Sequence, residues 1–120
     1  MTRILYIDDE ADIREVAQMA LELEPSFEVR TCGSGAEGLT AASEWQPDLI
    51  LLDVMMPGMD GPETLRALRE RGSTTTVLFI TARSQASERE ALIAAGAAGV
   101  ISKPFDPMAL AGTVQGFLNR

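Results

Sequence analysis

The sequence has no histidine and only one cysteine among its 120 residues. Without histidine the chain cannot use imidazole as a general base, cannot build a serine–histidine nucleophile pair and cannot offer the commonest zinc ligands. A single cysteine, Cys32, excludes an internal disulfide bond and any site built from several thiolates. The chemistry open to this chain therefore rests on carboxylates, hydroxyls, amines and backbone groups.

Positive charge is also scarce. Ten basic residues face eighteen acidic ones, which gives a formal net charge of −8, and Lys103 is the only lysine. Because a nucleic-acid groove or an anionic membrane surface attracts a basic stripe, we expect this domain to bind neither. No apolar run approaches the ~20 residues of a membrane span, and the first residues turn acidic too early for a signal peptide. We therefore expect a cytoplasmic protein.

Five short apolar runs recur along the chain, and four of them are continuous. They are Ile4–Ile7, Phe27–Val29, Leu49–Leu52, Val77–Ile80 and Gly99–Ile101. Continuous runs are typical of strands that are buried on both faces of a parallel sheet, whereas the mixed second run is typical of an edge strand. No linker, repeat or low-complexity tract interrupts residues 1–120, so we expect one domain.

Helical patterns fill the gaps between these runs. Apolar residues at 3.6-residue spacing predict a first helix that ends near Leu21. Start and stop signals predict four more helices, and Asp60 with Gly61 is interpreted as loop. The signals are the capping-box pairs Ser34/Glu37 and Ser87/Glu90, the Pro62 start with the Gly72 stop, and the Asp106–Pro107 N-cap. The last helix has no charged residue between Met108 and Leu118.

This alternation predicts a doubly wound α/β fold. Five parallel strands in the order 2-1-3-4-5 would be connected by right-handed crossovers, with five helices divided between the two faces. In such a fold the functional groups lie in the loops at the carboxyl ends of the strands. The strand ends are therefore where we look for the site.

Polar and charged residues follow four of the five strands. They are Asp8, Asp9 and Glu10 after the first strand, Asp53 after the third, Thr81 after the fourth and Lys103 after the fifth. Carboxylates that converge repel one another, and a hard cation held by oxygen ligands, such as Mg²⁺, relieves this repulsion. Asp53 could then accept a phosphoryl group, while Lys103 and Thr81 stabilise the phosphoryl oxygens.

These residues lie within motifs that resemble the bacterial response-regulator receiver domain of the CheY type, over the whole chain. The motifs are residues 7–10 (IDDE), 52–61 (LDVMMPGMDG), 80–82 (ITA) and 103–105 (KPF). The resemblance implies a flavodoxin-like fold and a cis peptide bond between Lys103 and Pro104. It also implies Asp53 as phosphoacceptor and Mg²⁺ as cofactor.

The resemblance further assigns roles around Asp53. Asp9 would bind Mg²⁺ directly and Asp8 largely through water, with Asp53 and the Met55 backbone carbonyl as further ligands. Four further residues would contact the phosphoryl oxygens. They are Val54, Thr81, Ala82 and Lys103.

The sequence is therefore interpreted as a phosphoryl-accepting signalling switch. A sensor histidine kinase or a histidine phosphotransfer protein would donate the phosphoryl group, and the surface around the fourth helix and fifth strand would then change for an unknown effector. The domain would phosphorylate and dephosphorylate itself but process no external metabolite. Many receivers have an aromatic residue three positions before the lysine, where this chain has Val100.

Three other functions are weighed. A degenerate receiver could serve only as an interaction module, although the acidic set with Thr81 and Lys103 is complete. A phosphatase of the haloacid dehalogenase class needs a second aspartate two positions after the nucleophile, where this chain has Met55. A flavodoxin-like cofactor binder needs a hydroxyl- and glycine-rich loop after the first strand, where this chain is acidic.

Overall fold

A computed structural model describes all 120 residues as strictly alternating strands and helices. The strands are β1 (Thr2–Ile7), β2 (Phe27–Cys32), β3 (Leu49–Asp53), β4 (Thr76–Thr81) and β5 (Gly99–Ser102). The helices are α1 (Ala11–Leu21), α2 (Gly35–Trp45), α3 (Gly61–Glu70), α4 (Ala86–Ala94) and α5 (Leu110–Leu118). None of the helices has the length and apolar character needed to span a bilayer.

The strands form one parallel sheet in the order β2-β1-β3-β4-β5, as predicted. The central strand β3 is buried at every position, which explains its unbroken apolar run, whereas β2 is an edge strand with exposed positions. The register pairs Ile7 with Leu52 and Asp53 with Ile80. The carboxyl ends of β1, β3 and β4 therefore lie side by side.

Side chains from opposite faces of the sheet fill two separate cores. Along β1, Leu5 and Ile7 pack into the core beneath α2, α3 and α4, and Ile4 and Tyr6 pack into the core beneath α1 and α5. Burial of a single leucine or isoleucine side chain contributes roughly 1.5–3 kcal/mol. A sheet held from both sides in this way fixes the strand ends that carry the polar residues.

The predicted helix starts are only partly confirmed. The Ser34 hydroxyl caps α2 by accepting from the backbone N–H of Glu37. The capping box at Ser87 is wrong, because α4 already begins at Ala86 and Ser87 lies inside its first turn, after an extended Gln85. The cap at Asp106 closes a separate turn, where its carboxylate accepts from Met108 N, and regular helix begins only at Leu110.

The interpretation of Asp60 and Gly61 as loop is also wrong, since α3 begins there. Asp60 and Glu63 form a capping box in which each side chain accepts from the other residue's backbone N–H. Gly61 N donates to Val54 O at 2.9 Å, and a Cβ at Gly61 would lie 2.5 Å from the carbonyl oxygen of Asp53. The glycine therefore lets the start of α3 approach the end of β3.

We expect the Asp60→Ala substitution to lower the free energy of unfolding by about 1 kcal/mol, because it removes the N-cap acceptor of α3. Asp60→Asn keeps an acceptor and serves as the matched control, with little loss expected. Urea denaturation of the three proteins measures the difference. Equal stability of the alanine and wild-type proteins would show that the capping box contributes nothing.

Candidate functional site

Two buried carboxylates share one ammonium group at the carboxyl edge of the sheet. Lys103 Nζ, just after β5, lies 3.0 Å from Asp8 Oδ2 and 3.2 Å from Asp53 Oδ1. The Asp8 side chain is fully buried and Asp53 is only 5% exposed. The structure thus brings together three residues that the sequence placed at separate strand ends, and Lys103 partly neutralises the buried charge.

The Asp8 carboxylate is held by three protein donors. Its Oδ2 accepts from Lys103 Nζ and from the Tyr6 hydroxyl, each at 3.0 Å, and its Oδ1 accepts from the backbone N–H of Glu10 at 3.0 Å. Arg14 donates to the Asp8 carbonyl oxygen at 2.7 Å. Tyr6 was not among the predicted site residues, although a lone hydroxyl in an apolar strand two residues before Asp8 was a usable signal.

The exposed part of the acidic cluster consists of Asp9 and Glu10. Together with Asp8 they offer carboxylate oxygens that all lie within 4.8 Å of one another. The donors are all oxygen, which suits a hard divalent cation such as Mg²⁺ better than a softer metal. Glu10 is a member of this cluster that the predicted metal set omitted, and the Met55 side chain points to solvent, 63% exposed.

The negative charges of Asp8 and Asp53, only partly balanced by Lys103, favour the binding of a cation. Burial raises the pKa of Asp53 to about 6; the charge of Asp8 adds to the rise, and Lys103 opposes it. Burial alone would lower the pKa of Lys103, but its contacts with the two carboxylates raise it overall. Burial, reinforced by Asp8, also raises the pKa of Tyr6, so that its hydroxyl stays a hydrogen-bond donor.

Thr81 ends β4 beside Asp53 and is almost fully buried. Its hydroxyl oxygen accepts from Arg83 N at 2.9 Å, and its carbonyl oxygen accepts from Lys103 N at 2.8 Å. The hydroxyl is therefore engaged with the loop that leads to α4 and makes no hydrogen bond to Asp53. The Lys103–Pro104 peptide bond is cis, as the resemblance implied.

The two remaining phosphoryl-contact candidates, Val54 and Ala82, directly follow the ends of β3 and β4. Val54 N donates to Ile80 O at 3.2 Å, which continues the pairing of β3 with β4. Ala82 is exposed and directly follows Thr81. An open cleft of about 230 Å³ begins here between the β3 end and α4. Its lining comprises Val54, Met55, Thr81, Arg83, Glu88, Ala91 and Leu92.

The fold and these grouped residues define a doubly wound α/β domain with an acidic site at the carboxyl edge of its sheet. A family model described as the response regulator receiver domain matches residues 4–115. The chain therefore belongs to the response-regulator receiver domain family, and the resemblance found in the sequence is confirmed. This is a signalling domain of two-component systems.

Curated relatives agree with this assignment. The chain is 37% identical over 119 residues to the transcriptional regulatory protein CseB of Streptomyces avermitilis, covering 99% of this chain and 50% of that protein. It is 38% identical over 120 residues to PcoR of Escherichia coli, covering 100% of this chain and 53% of that protein. The chain thus spans about half the length of the curated relatives that it matches.

Solved structures confirm the flavodoxin-like fold. The chemotaxis protein CheY4 of Vibrio cholerae superposes with a TM-score of 0.89 at 33% identity, covering 98% of both chains. The DrrB receiver domain activated with BeF₃ gives a TM-score of 0.86 at 30% identity, covering 100% of this chain and 99% of that one. The Francisella response regulator 1452 receiver domain, at 24% identity and a TM-score of 0.92, covers 100% of this chain and 98% of that one and supports the fold alone.

We expect Asp53→Asn to stabilise the metal-free protein at pH 7 by about 3 kcal/mol, given the rise of the Asp53 pKa from 3.8 to about 6. A raised carboxyl pKa means that the native state holds the proton more tightly than the unfolded state. Ionisation of Asp53 therefore lowers the stability of the wild type as the pH rises from about 4 through about 6. Below pH 4 the gain from the substitution should vanish.

Urea denaturation in EDTA between pH 4 and pH 8 measures this effect. Asp9→Asn is the matched control, because the Asp9 side chain is exposed and its loss should change stability little. A pH-independent effect of Asp53→Asn, or a clear loss of stability at pH 7, would contradict the account of two buried carboxylates in mutual repulsion.

Proposed function

We propose that this domain is a Mg²⁺-dependent phosphoacceptor switch of a two-component phosphorelay, with Asp53 as the phosphorylated residue. The observation that carries the proposal is the contact of Lys103 Nζ with both buried carboxylates, at 3.0 and 3.2 Å. An ammonium group at this position can exchange its contact with a carboxylate oxygen for a contact with an oxygen of a phosphoryl group on Asp53. Family membership supports the same assignment.

The acidic cluster supplies a fitting set of ligands for Mg²⁺. Asp9 is exposed and would bind the ion directly, with Asp53 and the Met55 backbone carbonyl completing the protein ligands. Asp8 already receives three protein donors, so it would act largely through a bound water. When bound, the ion neutralises charge on the phosphoryl oxygens and on the carboxylates.

The chemistry assigned to the chain is a single substitution at phosphorus. A carboxylate oxygen of Asp53 attacks the phosphorus of a phosphohistidine, an O–P bond forms, and the N–P bond breaks with its electron pair going to the imidazole nitrogen. Lys103 moves to one phosphoryl oxygen, and the Thr81 hydroxyl donates to another. The Val54 and Ala82 backbone flanks the group, and hydrolysis later returns the free carboxylate.

The partners follow from this chemistry. The chain has no histidine, so the phosphohistidine must come from a sensor histidine kinase or a histidine phosphotransfer protein. CseB and PcoR are named as transcriptional regulators and are about twice as long as this chain, so we assign any DNA binding to a part outside this acidic domain. We assign the domain to the cytoplasm and the receiver function to residues 1–120.

We assign to α4 and β5 the change of surface that an unknown effector would recognise. Thr81 connects Asp53 to this region, since its hydroxyl accepts from Arg83 N in the loop before α4 and its carbonyl accepts from Lys103 N just after β5. Withdrawal of the hydroxyl toward a phosphoryl group would release Arg83 N. The loop would then be free to move together with the start of α4.

The alternative of a degenerate receiver that acts only as an interaction module has less support, because every charged group that the phosphorylation chemistry requires is present. An aspartyl-phosphate phosphatase has least support. The second acid of that reaction would have to lie two residues after Asp53, where the solvent-exposed Met55 has no proton to give.

We expect Asp53 to be phosphorylated by acetyl phosphate only when Mg²⁺ is present. Intact-mass spectrometry with and without EDTA measures the adduct, and a thermal melt should show that Mg²⁺ alone stabilises the wild type by mass action. Asp53→Ala should give no adduct, while Asp60→Ala, which removes a carboxylate from the neighbouring helix cap, should label normally. Labelling of Asp53→Ala, or unchanged labelling in EDTA, would reject the proposal.

We further expect Thr81→Ala to uncouple phosphorylation from the surface around α4. Val100, which is 7% exposed in the core beneath α4, is β-branched and too short to fill the space that Thr81 would leave. The signal should therefore pass through residues 82–87 and the start of α4. Amide chemical shifts of this segment, recorded with and without acetyl phosphate and Mg²⁺, measure the response.

Val100→Ala is the comparison variant, and we expect it to lower stability by roughly 1 kcal/mol while the shifts of residues 82–87 still respond. Intact mass confirms in each sample that Asp53 carries the phosphoryl group. If Val100→Ala abolishes the response as completely as Thr81→Ala, the signal runs through Val100 and this route is wrong.

A further inference from the structure

Tyr6 is the only tyrosine in the chain and places a hydroxyl beneath the acidic site. Its side chain is fully buried in the core that β1 forms with α1 and α5. A phenylalanine would fill nearly the same space in this apolar strand. The hydroxyl donates to Asp8 Oδ2 at 3.0 Å, and this contact is what distinguishes tyrosine from phenylalanine at this position.

The same Asp8 oxygen also accepts from Lys103 Nζ, which Asp53 attracts at 3.2 Å. A phosphoryl group on Asp53 would draw Lys103 toward its own oxygens and away from Asp8. Asp8 Oδ2 would then lose one of its two protein donors while the side chain remains buried. Because a buried charged oxygen without a donor is strongly unfavourable, the donor that remains decides how readily Lys103 can leave.

We propose that Tyr6 is a positioning residue for the phosphorylated state: its hydroxyl holds Asp8 in place and satisfies its Oδ2 when Lys103 turns to the phosphoryl group. The inference rests on the proposed function, since it concerns the state in which Asp53 carries that group. It assigns to β1 a polar contribution of its own, in addition to that of Asp8, which follows the strand. Tyr6 acts through Asp8 and does not touch the phosphoryl group.

The test measures equilibrium binding of beryllofluoride, a phosphoryl mimic, in the presence of Mg²⁺. We expect Tyr6→Phe to bind it about tenfold more weakly than the wild type, the loss typical of one hydrogen bond to a charged group. Lys103 is the only lysine, so ¹³C-lysine labelling gives one side-chain signal that follows it alone. At equal beryllofluoride below saturation, that signal should move less in Tyr6→Phe than in the wild type.

Thr64→Val is the matched control for loss of a fully buried hydroxyl. Thr64 donates to the Asp60 carbonyl oxygen at 2.7 Å on α3 and makes no hydrogen bond to the acidic cluster. This variant should lose stability while its beryllofluoride affinity stays within twofold of the wild type. A thermal melt of each variant without ligand separates stability from binding.

A double variant shows whether Tyr6 acts through Asp8. In an Asp8→Asn background, the additional Tyr6→Phe change should weaken beryllofluoride binding by less than twofold. Tyr6→Phe with wild-type affinity, or the same tenfold loss in both backgrounds, would overturn this inference alone. A wild type that binds no beryllofluoride would instead overturn the proposed function, and this inference with it.

Discussion

The ammonium group of Lys103 between Asp8 and Asp53 is the interaction on which the site depends. Two carboxylates buried this close would repel each other strongly, and the ammonium within 3.2 Å of both offsets much of that repulsion. The compensation is incomplete, because burial and the charge of Asp8 together still raise the pKa of Asp53 to about 6. The remaining negative charge would attract the cation that the proposed phosphoryl transfer requires.

The sheet itself brings Asp8, Asp53 and Lys103 together, because all three lie at the same edge of it. Parallel pairing aligns the carboxyl ends of β1, β3, β4 and β5, and the two cores fix the sheet from both faces. Gly61 brings the capped start of α3 against the end of β3, where a Cβ would collide with the Asp53 carbonyl. Asp53 is therefore supported by the packed start of α3, and the side chains that would move in the proposed switch, Thr81 and Lys103, lie at the carboxyl ends of β4 and β5.

The positions of the main site residues were predictable, because these residues lie at the carboxyl ends of the strands. Continuous apolar runs predicted the buried strands, their alternation with helices predicted the doubly wound sheet, and the residue after each run then located Asp8, Asp53, Thr81 and Lys103. Contacts that depend on side-chain direction were not predictable in this way. The Tyr6–Asp8 hydrogen bond requires the Asp8 side chain, just past the end of β1, to turn back toward the face on which Tyr6 lies, and a pattern of apolar residues does not specify that.

Some predicted helix starts were wrong for a different reason, since the same residue types occur at helix caps, in first turns and in isolated turns. Ser87 and Glu90 have capping-box spacing, yet Gln85 is already extended and Ala86 begins the helix. Asp60 and Gly61 were interpreted as loop because they follow Pro57 and Gly58. The close packing of Gly61 on β3, a tertiary contact, explains why the helix begins there.

Several groups assigned to contact the phosphoryl oxygens already make contacts within the protein. Lys103 holds two carboxylates, the Thr81 oxygen accepts from Arg83 N, and Val54 N donates to Ile80 O. Phosphorylation would therefore exchange existing interactions for charge-assisted ones, and only the difference in free energy could move the domain. A shift from 1:99 to 99:1 requires about 5.5 kcal/mol. A few exchanged hydrogen bonds supply part of this, so an effector that binds only the switched surface would have to supply the rest.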